Sequence, residues 1–144
     1  MGTIRAREDH SEVKTLIVED DFTNRLLLQT LLSKHGECHV AVNGKEAVEA
    51  FRLAQADGRA YDLICMDILM PEMDGIQAVR EIRRLERSGR MDGSYCVKII
   101  MTTASNDVSS VSQSVREHCD GYLLKPIHTG RLMHDLHVLG LLPL

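Results

Sequence analysis

Tryptophan is absent from this 144-residue chain, and proline and tyrosine occur three times each. A core must therefore be built from Leu, Val, Ile and Met, with few interruptions imposed by proline. No apolar run approaches the roughly 20 residues that span a bilayer, and the charged start, residues 1–14, lacks the apolar stretch of a secretory signal. A cytosolic location is expected. The four cysteines, Cys38, Cys65, Cys96 and Cys119, show no C-x-x-C spacing, so reduced, buried thiols are expected in place of a metal or disulfide framework. Excess positive charge is missing too: the formal net charge is -4, which disfavours direct DNA binding. What remains, 44% hydrophobic and 26% charged residues, is the make-up of one ordinary globular domain.

Strand and helix signals alternate along the chain. After a polar lead-in to residue 13, short apolar runs at 14–18, 38–42, 62–67, 97–101 and 121–124 read as buried strands. Between them, helical spacing of apolar residues predicts helices over 22–35, 45–56, 75–87, 106–118 and 129–139. Leu26, Leu27, Leu28, Leu31 and Leu32 supply the apolar residues of the first, with Gly36 as its C-terminal stop. Asp74 is the expected N-cap of the third. The helix at 106–118 has a thin apolar face, which predicts marginal packing. The domain is taken as 14–139, with a flexible segment 1–13 before it and a tail 140–144 after it. Five strands separated by helical crossovers imply an α/β fold with a parallel sheet covered on both faces. Ligands of such sheets bind at the carboxyl ends of the strands, where strand order reverses. The order 2-1-3-4-5 would set the first and third strands side by side there.

Charge is placed at those ends. Asp67 closes the apolar run Leu63-Ile64-Cys65-Met66, Glu19 and Asp20 close the first strand, Thr103 follows the fourth and Lys125 closes the fifth. Two carboxylates about 4 Å apart repel by around 4 kcal/mol at an effective dielectric near 20. Such a cluster needs protons or a cation, and oxygen ligands without His or Cys suit Mg²⁺. Two acids, a metal, a lysine and a hydroxyl around one further carboxylate are what in-line phosphoryl transfer to that carboxylate requires.

Four ordered motifs, Val18-Glu19-Asp20-Asp21, the run from Met66 and Asp67 to Asp74 and Gly75, Thr102-Thr103-Ala104 and Gly121-Tyr122-Leu123-Leu124-Lys125-Pro126, match a family. The chain resembles the receiver domain of two-component response regulators over residues 14–139. The resemblance implies the flavodoxin-like, CheY-like three-layer (βα)5 fold, with Asp67 as phosphoacceptor. It implies Asp20 as a direct Mg²⁺ ligand, Glu19 as a ligand mostly through water, and the main-chain carbonyl of Leu69 as a further ligand. Lys125 would pair with the acyl phosphate, Thr103 would hydrogen-bond a phosphoryl oxygen, and Tyr122 would turn inward as Thr103 moves. Residues 106–118, 121–124 and 129–139 would then present the altered face. The resemblance also raises the expectation of a cis Lys125-Pro126 bond. The donor would be a sensor histidine kinase or a histidine phosphotransfer protein, because Asn24-Arg25 and the polar loop 88–95 look like receivers of hybrid kinases or phosphorelays.

Other readings weigh less. A phosphohydrolase of the haloacid dehalogenase type would carry D-x-D at its nucleophile, whereas position 69 is Leu. A flavodoxin-like electron carrier needs a Ser/Thr/Gly-rich loop where Glu19-Asp20-Asp21 stands. A receiver-like partner-binding module that works without phosphorylation remains an alternative, although every position needed for chemistry is present. Asp21 reads as a helix N-terminal acid, Thr102 as strand filler, and His134 and His137 as solvated helix residues. The leucine-rich end, residues 136–144, reads as a helix end packed on the sheet; a contact with a partner or a homodimer stays open. Leu69 and Ser105 bear on how fast water reaches the acyl phosphate.

Overall fold

The computed structural model describes residues 12–68, 70, 73–89, 96–104 and 118–143. Five strands, β1 (Thr15–Val18), β2 (Cys38–Ala41), β3 (Leu63–Asp67), β4 (Lys98–Thr103) and β5 (Gly121–Leu124), form one sheet. All pairings are parallel and the order is β2-β1-β3-β4-β5, as expected. Every residue of β1 and β3 is buried. That is the condition of a strand covered on both faces, and it explains why these strands read as continuous apolar runs.

The helices are α1 (Phe22–Leu32), extended by a 3-10 turn at Ser33–His35, α2 (Gly44–Ala56), α3 (Gly75–Ser88) and a C-terminal helix, Thr129–Val138. The helix expected at 106–118 lies, apart from His118, outside the described residues. Short polar side chains start the first three. Asp21 accepts from Asn24 N at 2.9 Å, Asn43 from Glu46 N at 2.8 Å and Asp74 from Gln77 N at 2.9 Å, each satisfying one of the orphan amides of a helix start. Glu46 reaches back to Val42 N at 3.0 Å, in the manner of a capping box.

Alternation along the strands sends side chains to two separate cores. On one face Leu16, Val18, Ile64, Met66, Ile99 and Met101 meet Phe51 of α2 and Val79 and Ile82 of α3. On the other, Ile17, Leu63, Cys65, Ile100 and Leu123 meet Leu28 and Leu32 of α1 and Leu132 and Leu136 of the C-terminal helix. Leu26 and Leu27 depart from the sequence expectation, being 49% and 36% exposed. Consecutive helical residues point about 100° apart, so a run of three leucines cannot all face the sheet. Only Leu28 and Leu32, four apart, are buried. The second core extends beyond both ends of the 14–139 span: Val13 is buried, and Leu141 and Leu142 fold back onto it, Leu141 N donating to Leu136 O at 2.9 Å. None of the four cysteines is in a disulfide; Cys65 is buried, and burial pushes its thiol up to about 12, whereas Cys38, Cys96 and Cys119 are only partly buried, short of the expectation.

A charged clamp closes the amino ends of β4 and β5. Arg83 of α3 donates to Glu86 at 2.7 Å, to the carbonyls of Val97 and His118 at 2.9 Å each, and to Asp120 at 3.1 Å. Glu86, 1% exposed, accepts from Val97 N at 2.6 Å, and Asp120 from Ile99 N at 2.8 Å. Arg83 therefore binds α3 to the residues that lead into both strands. No described helix is long and apolar enough to cross a membrane.

Candidate functional site

The sheet positions the charged residues at its opposite, carboxyl end. Glu19 follows β1 directly, and its N donates to Ala41 O at 3.0 Å; Lys125 follows β5, and its N donates to Thr103 O at 2.8 Å. Asp67 is the last residue of β3, and Ile68 N continues the ladder to Thr102 O at 3.1 Å. Each side chain thus leaves from backbone that is still hydrogen-bonded into the sheet. One carboxylate oxygen from each of Glu19, Asp20 and Asp67 lies within 4.8 Å of the others. Lys125 Nζ stands 3.1 Å from Glu19 Oε1 and 3.2 Å from Asp67 Oδ2. Glu19 and Asp67 are buried, while Asp20 is exposed at the rim.

Burial pushes the Glu19 carboxyl up to about 7, and the hydrogen bond and charge of Asp67 add to this against the opposing pull of the Asp21 N–H and Lys125. For Lys125, burial works against the charge, but the carboxylates of Asp67 and Glu19 together outweigh it and hold its pKa above the ordinary value. The acids therefore gather more negative charge than one ammonium satisfies. Glu19 Oε1 is fully buried, and the ammonium that faces it, Lys125 Nζ, is shared with Asp67 Oδ2. A hard divalent cation with oxygen ligands and retained waters fits this donor set.

The pH consequence has a definite sign. A carboxyl whose folded pKa lies above its ordinary 4.5 keeps its proton where the unfolded chain has released it, so metal-free stability falls as pH rises from about 4.5 to about 7. The loss attributable to Glu19 is at most about 3 kcal/mol. Thermal melts should show Glu19→Gln losing this decline, and millimolar Mg²⁺ should raise the Tm of the wild type at pH 8 much more than at pH 5. A wild-type Tm indifferent to Mg²⁺ at both values would count against the cluster.

Of the other anticipated residues, Asp21 is the α1 N-cap, and its N donates to Glu19 Oε2 at 3.2 Å. Thr103 is buried at the end of β4, its hydroxyl donating to Ala104 O at 3.2 Å. Tyr122 is half-buried against the first core, and the Lys125-Pro126 bond is cis. Leu69 and Ser105 lie outside the described residues. Two supports have structural roles at the site that the sequence reading did not assign to them. Arg25 donates to Glu19 O at 3.2 Å while its guanidinium lies over the Phe22 ring, 5.4 Å from the centroid. Gly75 and Gly44 fix described residues near Asp67: Gly75 N donates to Ile68 O and Gly44 N to Met73 O, both at 2.9 Å. The Asp74-Gly75 pair was the available signal. A Cβ on Gly75 would come within 2.3 Å of Asp67 O, so Gly75→Ala should cost about 1–3 kcal/mol in denaturant melts and displace the Asp67 backbone; an unchanged midpoint would contradict that.

Residues 15–137 match the family model described as response regulator receiver domain. The chain belongs to that family. As a receiver domain it is 32% identical over 126 residues to the chemotaxis protein CheY of Bacillus subtilis, covering 86% of this chain and 94% of that protein. It is 30% identical over 127 residues to the osmosensing histidine protein kinase SLN1 of Saccharomyces cerevisiae, covering 87% of this chain. The receiver spans 10% of that kinase, and 6% and 4% of two hybrid signal transduction histidine kinases of Dictyostelium discoideum. Among solved structures it is similar, with TM-score 0.73 and 30% identity over 90% of each chain, to the co-crystal structure of the yeast phosphotransfer protein Ypd1 with the receiver domain of Ssk1. It is also similar, with TM-score 0.67 and 27% identity over 90% of this chain and 98% of the other, to a Pseudomonas aeruginosa sensor kinase receiver. That receiver holds a magnesium ion in its active site cleft.

Proposed function

We propose that this receiver domain accepts a phosphoryl group on Asp67 from a phosphohistidine donor, and that the modification switches the face formed by residues 106–118, 121–124 and 129–139. The observation carrying this reading is the convergence of the Glu19 and Asp20 carboxylates on the buried side chain of Asp67, one oxygen of each of the three lying within 4.8 Å of the others, with one ammonium 3.2 Å from Asp67 Oδ2. Asp67 Oδ attacks phosphorus, the phosphorus–nitrogen bond of the donor breaks, and its electron pair returns to the imidazole nitrogen, which takes up a proton. Lys125 holds the Asp67 carboxylate before transfer and meets the new phosphoryl charge after it. Thr103, at the mouth of β4, exchanges its present carbonyl partner for a phosphoryl oxygen, and Tyr122 follows it inward. Magnesium held by Glu19, Asp20, Asp67 and, by family resemblance, the Leu69 carbonyl would neutralise charge on the phosphoryl oxygens.

The donor is a sensor histidine kinase or histidine phosphotransfer protein. Support comes from the hybrid-kinase relatives, from the phosphotransfer complex among the structural neighbours, and from Phe22, 65% exposed, and Leu26 on α1 beside the acids. The domain is a phosphoacceptor that assists its own transfer and dephosphorylation. Incubation with acetyl phosphate or a phosphorylated phosphotransfer protein should give a single phosphoryl adduct by intact mass with Mg²⁺ and none with a chelator. Absence of an adduct in both would favour a module that binds partners unmodified; sustained hydrolysis of phosphomonoesters would favour a phosphohydrolase.

A further inference from the structure

Thr102 is 1% exposed, and its Oγ1 has no hydrogen-bond partner among the described residues. Leaving a buried hydroxyl unpaired costs roughly 1–3 kcal/mol, and the sheet register shows which acceptor stands beside this one. Thr102 is the ladder partner of Asp67. Asp67 follows Cys65 by two residues and Thr102 follows Ile100 by two; Cys65 and Ile100 share a core with Ile17 and Leu123, which precede Glu19 and Lys125 by two. By the alternation of strands, all four share one face; Asp67 and Thr102 are level, Glu19 follows the partner of Met66, and Lys125 stands two residues beyond Leu123, the partner of Thr102. Thr103 falls on the other side, two residues beyond Met101 of the first core, with its hydroxyl on Ala104 O. Neighbouring strands lie about 4.8 Å apart, so a rotation about χ1 brings the Thr102 hydroxyl to the Asp67 carboxylate.

We propose that Thr102 is a positioning residue whose hydroxyl donates to the Asp67 carboxylate and shortens the life of the phosphoryl group carried there. The inference rests on the reading of Asp67 as phosphoacceptor. In hydrolysis, water attacks phosphorus, the bond from phosphorus to the Asp67 oxygen breaks, its electron pair returns to the carboxylate, and the proton of the water passes to phosphate or solvent. A hydroxyl binds a charged carboxylate about twice as strongly as a neutral carbonyl. It therefore stabilises the transition state, in which charge is arriving on Asp67, more than it stabilises the acyl phosphate. Removing the donor slows the loss of phosphate.

The test charges wild type, Thr102→Val, Thr102→Ser and Thr15→Val with acetyl phosphate and Mg²⁺, removes the donor, and follows adduct decay by intact mass. Thr15 is the matching control, because its Oγ1 is also buried and unpartnered and it lies on the same sheet face at the far end of β1. Thr102→Val should lengthen the half-life about fivefold, Thr102→Ser should restore the wild-type value, and Thr15→Val should leave it unchanged. Should Thr102→Val fail to fold, Thr102→Ala replaces it. A second readout needs no phosphate: the carboxyl carbon resonance of Asp67 in the metal-free protein should move in Thr102→Val and not in Thr15→Val. An unmoved resonance, a wild-type decay rate in Thr102→Val, or a Ser variant that behaves like Val overturns the proposal. A wild type that forms no adduct instead refutes the phosphoacceptor reading, and the resonance then decides the contact alone.

Discussion

Asp67→Asn is expected to take up no phosphoryl group from acetyl phosphate or from a phosphohistidine protein, at any Mg²⁺ concentration, while remaining folded. The substitution keeps the shape of the side chain and removes both the nucleophilic oxygen and one charge from a crowded site. Asp67 contributes to raising the Glu19 pKa through a hydrogen bond and its charge, so its loss relieves metal-free repulsion, and Lys125 keeps Glu19 as a partner at 3.1 Å. The Tm of the variant without Mg²⁺ should therefore be no lower than that of the wild type. A lost adduct with retained stability separates chemistry from folding. Intact-mass detection of an undiminished adduct on Asp67→Asn would refute the assignment of the acceptor.

Arg83→Ala is the second large effect, and it falls on stability. Arg83 has 13% side-chain exposure and Glu86 has 2%. Removing the guanidinium leaves a buried carboxylate with only the Val97 amide among its described contacts, and strips donors from the carbonyls of Val97 and His118. Breaking a buried pair by removing one partner costs about 3–5 kcal/mol, a large share of the roughly 5–15 kcal/mol that holds a domain folded. Urea melts should show the midpoint fall accordingly, while Arg52→Ala, which removes a pair exposed on both sides, should leave it in place. Equal midpoints for the two variants would show that the clamp contributes nothing.

The sheet and its order were legible because parallel strands buried on both sides leave an unmistakable apolar trace, and because Gly, Asn and Asp punctuate it at 36, 43 and 74. The acids and Lys125 were legible because a charge that ends such a trace has few reasons to be there. Leu26 and Leu27 were misread, since a run of leucines does not say which member faces inward until α1 is docked. Arg83 and Glu86 were invisible: an i, i+3 charge pair on an amphipathic helix looks like solvated surface, and only the approach of residues 97 and 120, brought in by other strands, buries it. Thr102 looked like filler for a related reason, its position beside Asp67 being a matter of register between β3 and β4. Chain-local patterns carry periodicity; register and docking arise from the assembled layers.

The strands that separate Arg83 from Asp67 are five to six residues long, some 17–20 Å at about 3.3 Å per residue. Two unit charges that far apart interact by about 1 kcal/mol or less at an effective dielectric near 20, and the opposite charges of Arg83 and its acids offset each other. Fields from one pole reach the other strongly attenuated, so drift in the clamp rescales how long the molecule survives without retuning what its acidic mouth does, and selection can adjust the two independently.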